Sequence, residues 1–246
     1  MSASVRPSKH GILLPGLFTL AMFLVMLGLG LWQVERLAWK EGLIVTLERR
    51  VNAPPEPLPQ PKEWAQLSQE TDEFRRVRAV VEFVDRPHAH AFTGGSALRP
   101  DVKAPGYFVF APARLASGEI VVIDAGYTPE RKYPWAGGKS EVVGYLRWPE
   151  APSWFVSAHD AAGTLWFVRD HRAMAQRLGW GKDVAPFYID QESPVVAGGL
   201  PRPGPLTVKL RNDHLGYAIT WFGLAAVLLV VFGFWAVSRE RAARDS

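Results

Sequence analysis

The sequence predicts an α+β membrane protein: two transmembrane helices flanking a β-rich extramembrane domain, barrel- or sandwich-like, with one or two short helices. Three observations predict it. Two runs carry no charged residue, Gly11 to Leu31 (21 residues) and Leu215 to Val237 (23 residues). At about 1.5 Å per residue each makes a helix of roughly 30 to 35 Å, enough to cross a hydrocarbon core of about 30 Å. Between them the chain is charged and Pro-rich, with short β-branched or aromatic runs bounded by Gly or Pro. The net charge of +4 is unevenly placed: residues 33–214 hold 23 Lys/Arg and 22 Asp/Glu, so the excess lies at the two ends.

Those ends set the expected topology. Arg6 and Lys9 lie in the first tail (1–10), and Arg239, Arg241 and Arg244 in the last (238–246). Cationic tails beside the spans, 11–32 and 214–237, predict that both termini are cytoplasmic and the main domain lies on the far side. The first run is read as a retained anchor. Its apolar stretch exceeds a signal-peptide core, and LGLGLWQVER follows in place of a small-residue cleavage site. With ten residues before it, no Arg/Ser-rich transit peptide is expected, and a bacterial inner membrane with a periplasmic domain is the expected location. The basic balance is thus a topology signal, and no nucleic-acid partner is expected.

Residues 33–60 read as a helical extension and a linker. WQVERLAWKEGLIVTLERRV (32–51) is rich in helix formers, and Trp32 and Trp39 suit the membrane interface. NAPPEPLPQP then ends the helix, because successive prolines remove donors and disfavour helical φ/ψ before them. The β-rich domain is expected over 61–213. It opens on a helix in PKEWAQLSQE, with Pro61 in the first turn. Strands are predicted at 74–84, 88–92, 106–115, 119–126, 139–148, 164–169, 187–190 and 206–211. One helix, DHRAMAQRLG, interrupts them, with Asp170 as N-cap and Gly179 past its end.

Much chemistry is excluded. The chain has no cysteine, which rules out disulfides, thiolate metal sites and covalent haem attachment through C-x-x-C-H. No serine nucleophile elbow, Gly-rich phosphate loop or paired-carboxylate spacing occurs, so no enzyme is predicted. His88 and His90 share a strand face but lack a third nearby ligand, and they read as an exposed strand. His171 reads as the opening of a capped helix. Gly126, in IDAGYTP, reads as a turn requiring positive φ.

Four blocks carry a resemblance. GLGLWQVERLAWKEGLI (28–44), GYFVFAPARLASGEIVVIDAGYTPERK (106–132), TLWFVRDHRAMAQRLG (164–179) and GGLPRPGPLTVKLRNDHLGYAITWFGLAA (198–226) keep the order of the corresponding blocks in the Surfeit locus protein one family. The chain is identified as a member of that family from about residue 28 to 226. One departure stands out: Ala125, Gly126 and Tyr127 occupy a turn where the family usually carries Arg, Gly and Trp. The resemblance implies a non-enzymatic cytochrome c oxidase assembly factor that binds haem a and assists its insertion into subunit one, alongside haem a synthase. It also implies that His214, the histidine of the exit block, is the axial ligand of the haem iron.

The residues around His214 suit that role. Two antiparallel spans joined by an outside domain put Trp32, Gln33 and Arg36 at the depth of His214, Tyr217 and Trp221. His214, Tyr217, Ala218 and Trp221 follow the i, i+3, i+4, i+7 pattern of one helix face. His214 offers an axial nitrogen. Tyr217 and Trp221 would flank a macrocycle, and Ala218 leaves room between them. Arg36, Lys209 and Arg211 would meet propionates at the water line. No second ligand is evident. A plainer reading stands beside this one: aromatic rings near span ends form interface belts, and a histidine there caps or hydrogen-bonds. The rival function is a haem-independent scaffold that stabilises subunit one.

Overall fold

The computed structural model describes residues 10–135, 137–151, 158–160, 165–181, 183–195, 198–208 and 211–244. It has two compact units, residues 1–44 with 210–246, and residues 45–209. The first is a helix pair. α1 (His10–Asn52) is continuous for 43 residues, about 65 Å at the standard rise, and α4 (His214–Arg244) spans 31. Both are long and apolar enough to cross a membrane, as their composition predicts.

Lipid gives apolar side chains no reason to hide, so helices there meet through small residues and polar bonds. The buried positions of the pair follow this rule: Thr19, Gly30 and Gln33 on α1, Ala218 and Ala225 on α4. At Gly30 the approach is close. A Cβ there would lie 2.6 Å from the Phe222 ring.

In the second unit α1 ends at Asn52 and the prolines extend the chain, where β1 (Glu56–Pro57) pairs briefly with a strand ahead. The expected helix over PKEWAQLSQE is split into a 3₁₀ turn (Pro61–Gln66) and one turn of helix, α2 (Gln69–Asp72). Ser68 lies extended between them and caps α2 by accepting from the Thr71 amide.

Then come β2 (Arg76–Phe83), β3 (Ala89–Thr93), β4 (Gly106–Leu115), β5 (Ile120–Thr128), β6 (Gly138–Arg147), β7 (Leu165–Trp166), α3 (His171–Leu178) and β8 (Val184–Ser193). Five of these strands form a ring in the order β2-β6-β8-β5-β4, and β4 pairs back onto β2 through Val81↔Leu115 and Phe83↔Ala113. The domain is therefore a closed five-stranded barrel. Closure removes the sheet edges that a sandwich would leave.

Alternation along the strands sends Val77, Val81, Val121, Ile123, Leu146 and Phe187 inward. Trp64 of the 3₁₀ turn packs with them, edge-on to Phe187 at 5.4 Å, and its indole N–H donates to the Pro59 carbonyl at 2.9 Å. β3, β7 and α3 cover an outer face, burying Ala91, Phe108, Phe110, Trp166, Met174 and Tyr188. With both its faces covered, β5 is buried from end to end.

Three expectations are corrected. Residues 206–208 form no strand. Leu206 and Val208 are buried beside Phe74 and Tyr145 as the alternation requires, and the Thr207 amide donates to the Leu98 carbonyl; 209–210 of the predicted strand lie outside the described residues. Gly126 lies within β5, not in a turn, and its φ of 110° admits the backbone of Arg202 and Pro203, 2.3–2.4 Å from where a Cβ would stand. Tyr127 exchanges two backbone bonds with that segment, Tyr127 N to Arg202 O at 3.0 Å and Arg202 N to Tyr127 O at 2.7 Å. His88 and His90 are half-buried among aromatic rings, not exposed. The helix at DHRAMAQRLG stands as predicted: Asp170 accepts from the Arg172 and Ala173 amides, and Gly179 closes it in the left-handed conformation.

Candidate functional site

Helix α4 begins at His214, directly after the Arg211–Asp213 ion pair. Its first turn meets α1 where Gln33 is buried, 9% exposed. His214 Nδ1 and Gln33 Oε1 are 2.6 Å apart. A carboxamide oxygen only accepts, so this contact calls for a proton on Nδ1. Nδ1 is thus engaged inside the helix pair, while Nε2 is the nitrogen available to a ligand. Half-buried Trp221 and buried Ala218 continue the same face of α4, whereas Tyr217 is 56% exposed on its flank.

The other predicted residues divide. Trp32 is 52% exposed and turned outward from the face that carries Gln33. Arg36 is exposed one turn further on and stacks over the Trp39 ring at 3.9 Å. Arg211 is open to solvent and tied to Asp213. Lys209 lies outside the described residues. The structure therefore brings together Gln33, His214, Ala218 and Trp221, and leaves Trp32 on another face. Gln33 was visible in the sequence as a polar residue at the depth of His214. Its pairing with the imidazole depends on the rotation of two helices, which local patterns do not encode.

A second polar cluster lies in the barrel domain. β5 and β8 run parallel with Asp124 opposite Asp190, both fully buried. Arg169 Nη1 sits 3.9 Å from Asp124 Oδ2 and 3.8 Å from Asp190 Oδ2. Arg147 Nη1 is 3.9 Å from Asp190, and its Nε donates to Glu73 Oε1 at 3.2 Å. Burial, reinforced by the neighbouring Asp190 charge, pushes the Asp124 carboxyl up to about 8, and burial raises Asp190 as well. Oδ2 of Asp124, both Asp190 carboxylate oxygens and the Tyr188 hydroxyl have no hydrogen-bond partner. The two aspartates stand 66 residues apart in sequence, so no spacing rule marks them as a pair.

The two-histidine strand gives less. His88 Nδ1 is 2.8 Å from the Tyr133 hydroxyl and its ring meets Trp135 edge-on at 4.4 Å. Burial, with Arg131 and His88 nearby, holds His90 down to about 4. Among the described residues no group of three or more His, Cys, Asp or Glu is placed to hold a metal. His171 is buried, with Nε2 3.0 Å from the Ala185 carbonyl, and its imidazole joins α3 to β8.

Comparison with known proteins covers both polar clusters. The SURF1 family profile matches residues 20–226, from inside α1 to inside α4. The chain is similar to Surfeit locus protein 1 of Rattus norvegicus, 32% identical over 217 residues that cover 81% of this chain and 68% of the relative. It is equally similar to Surfeit locus protein 1 of Takifugu rubripes, 32% identical over 218 residues covering 81% and 87%. The SURF1-like protein of Monosiga brevicollis is 30% identical over 253 residues, covering 95% of this chain and 91% of that one. The matched span holds Gln33, Asp124, Asp190 and His214 together, and with it the protein takes its place as a member of the SURF1 family.

Proposed function

We propose that this protein is a non-enzymatic assembly factor for haem–copper (cytochrome c) oxidase, holding haem a at His214 and passing it to subunit one. The observation that carries the reading is the His214 imidazole at the head of a paired apolar helix, with Nδ1 engaged and Nε2 free. Haem a supplies an iron that accepts one imidazole nitrogen on its axis. The donor set fits that demand: an imidazole whose Nδ1 meets the Gln33 oxygen and whose Nε2 is left to a ligand, an apolar flank in Trp221 and Tyr217, and small Ala218 between them. Arg36 and Arg211 supply exposed cations for the propionates. Trp32 belongs to the same interfacial depth and offers apolar surface to the haem tail or to lipid. A single axial ligand suits a carrier, because whatever delivers its cargo must also let go of it.

The proposed setting is a bacterial inner membrane, with spans at 11–32 and 214–237, the tails 1–10 and 238–246 cytoplasmic, and the barrel periplasmic. The cationic tails support it. Haem a synthase is the proposed donor and oxidase subunit one the proposed acceptor.

The test is the reduced absorption spectrum of full-length protein purified from a membrane that makes haem a, beside His214→Ala at matched folding. A haem a band that disappears in the variant supports the reading. An equal band in both moves the ligand elsewhere. No band in either leaves the haem-independent scaffold as the function.

A further inference from the structure

We propose that Gln33 is the positioning residue of the site: by accepting the Nδ1 proton of His214 it fixes the imidazole tautomer that presents a bare Nε2 to a metal. The inference rests on the reading of His214 as an axial ligand.

The argument starts from the chemistry of a neutral imidazole. Its single N–H sits on either ring nitrogen, and in water the Nε2–H form is the commoner. In that form the outward nitrogen carries a proton and cannot ligate until the proton moves. An acceptor at Nδ1 reverses the preference, which is why ligating histidines are so often backed by an oxygen on their other nitrogen. Gln33 is such an acceptor, 2.6 Å from Nδ1. Its surroundings keep the bond from being traded for water. Gln33 is among the few buried residues of the helix pair, and Gly30, one turn before it, lets the Phe222 ring pack against α1. In a low-dielectric setting an unpaired carboxamide is costly, so each partner holds the other.

The oxygen also does something a carboxylate would do differently. An amide oxygen is a neutral acceptor and pulls weakly on Nδ1–H, leaving the imidazole a moderate donor to iron. A carboxylate in its place would give the ring more imidazolate character, strengthen ligation and lower the iron potential. The choice of Gln suits a site that must release its cargo.

Two measurements on the full-length protein in detergent micelles test this. The first needs no haem: the 15N spectrum of the His214 imidazole, assigned by its loss in His214→Ala. The wild-type ring is expected as the Nδ1–H tautomer, and Gln33→Leu, which keeps the bulk without the oxygen, is expected to shift it towards Nε2–H. An Nε2–H tautomer in the wild type overturns the proposal. The second is haem a titration with potentiometry. Gln33→Leu is expected to bind about 10- to 100-fold more weakly, as for lost outer-shell partners of metal ligands. Gln33→Glu is expected to retain or tighten binding and to lower the midpoint potential. That pairing separates positioning from packing, because a merely structural Gln33 would not move the potential with acceptor charge. Equal affinity and potential in all three overturn the role of Gln33 while leaving His214 as ligand if His214→Ala still abolishes the band. Should His214→Ala keep the band, the axial-ligand reading fails first and the inference falls with it.

Discussion

The two units of this protein bury polar groups in opposite ways. In the barrel domain Asp124, Asp190 and Arg147 are buried beside Arg169, with four of their oxygens and nitrogens lacking a hydrogen bond, inside a core of aromatic and branched side chains. In the helix pair the buried polar groups among the described residues are Thr19 and the Gln33 carboxamide, whose oxygen makes a short bond to His214. The difference follows from solvent. The barrel is held by removing apolar surface from water, a force large enough to carry an expensive ion cluster. The helix pair has no such force, so it rests on small-residue contacts and on polar bonds such as Gln33–His214.

The largest break in that comparison comes from Arg147. Replacing it with Leu takes the cation from the Glu73 carboxylate, leaves Asp190 with Arg169 alone and removes the guanidinium stacked 4.6 Å from the Phe74 ring. Breaking a buried ion pair from one side costs about 3–5 kcal/mol. Thermal unfolding followed by the β-sheet signal is expected to fall accordingly. Arg147→Met combined with Asp190→Leu is expected to recover part of the loss, since Asp190 no longer lacks that cation and Arg169 keeps Asp124, while Glu73 stays without its partner. The His214 imidazole spectrum is expected to stay as in the wild type.

A second test uses pH. The folded-state carboxyl of Asp124 is raised from 3.8 to about 8, so over that window the folded chain holds a proton that the unfolded chain has released. Its stabilising contribution is full below about pH 4 and is lost as pH rises through about 8. Unfolding midpoints measured from pH 5 to 9 are expected to decline with pH, and Asp124→Asn is expected to flatten that slope. Asp190, raised in the same direction, keeps some of it. The Asn carboxamide oxygen can still accept from the Gly126 amide, now 3.1 Å from Asp124 Oδ1, so the variant tests the charge and not the course of β5. A slope left unchanged by Asp124→Asn would mean that Asp124 does not hold that proton in the folded chain.

Which parts were legible in the sequence follows the same division. The spans announce themselves because two dozen residues without charge have few other uses, and β4 and β5 are bounded by Gly and Pro as strands should be. The predicted strand at 206–211 shows the limit of pattern: its alternation correctly assigns Leu206 and Val208 to the core, but burial of alternate side chains does not require a ladder partner. The Asp124–Asp190 pair was invisible because parallel pairing of β5 with β8 is a long-range choice made by the closed barrel. His214 stood out by its position at the threshold of the second span and by the resemblance of the exit block. Gln33 was seen only by depth, since helix rotation is set by contacts such as Gly30 against Phe222.

That contact gives the smallest prediction and the sharpest probe of how loosely the pair is held. A Cβ at Gly30 would stand 2.6 Å from the Phe222 ring, so Gly30→Ala forces the ring to swing or the helices to part by a fraction of an ångström. Phe222 is only half-buried and has room to turn, so the cost should be no more than about 1 kcal/mol, the scale of single contacts between helices in lipid. No shift in barrel unfolding is expected. The response belongs one turn away: a 2.6 Å hydrogen bond tolerates little separation, and the His214 spectrum is expected to show a minor Nε2–H population absent from the wild type. If the spectrum does not change, Phe222 has absorbed the methyl group and the Gln33–His214 bond is held by more than the close approach at Gly30. If the barrel melts earlier instead, the helix pair supports the domain and the division drawn between them does not hold.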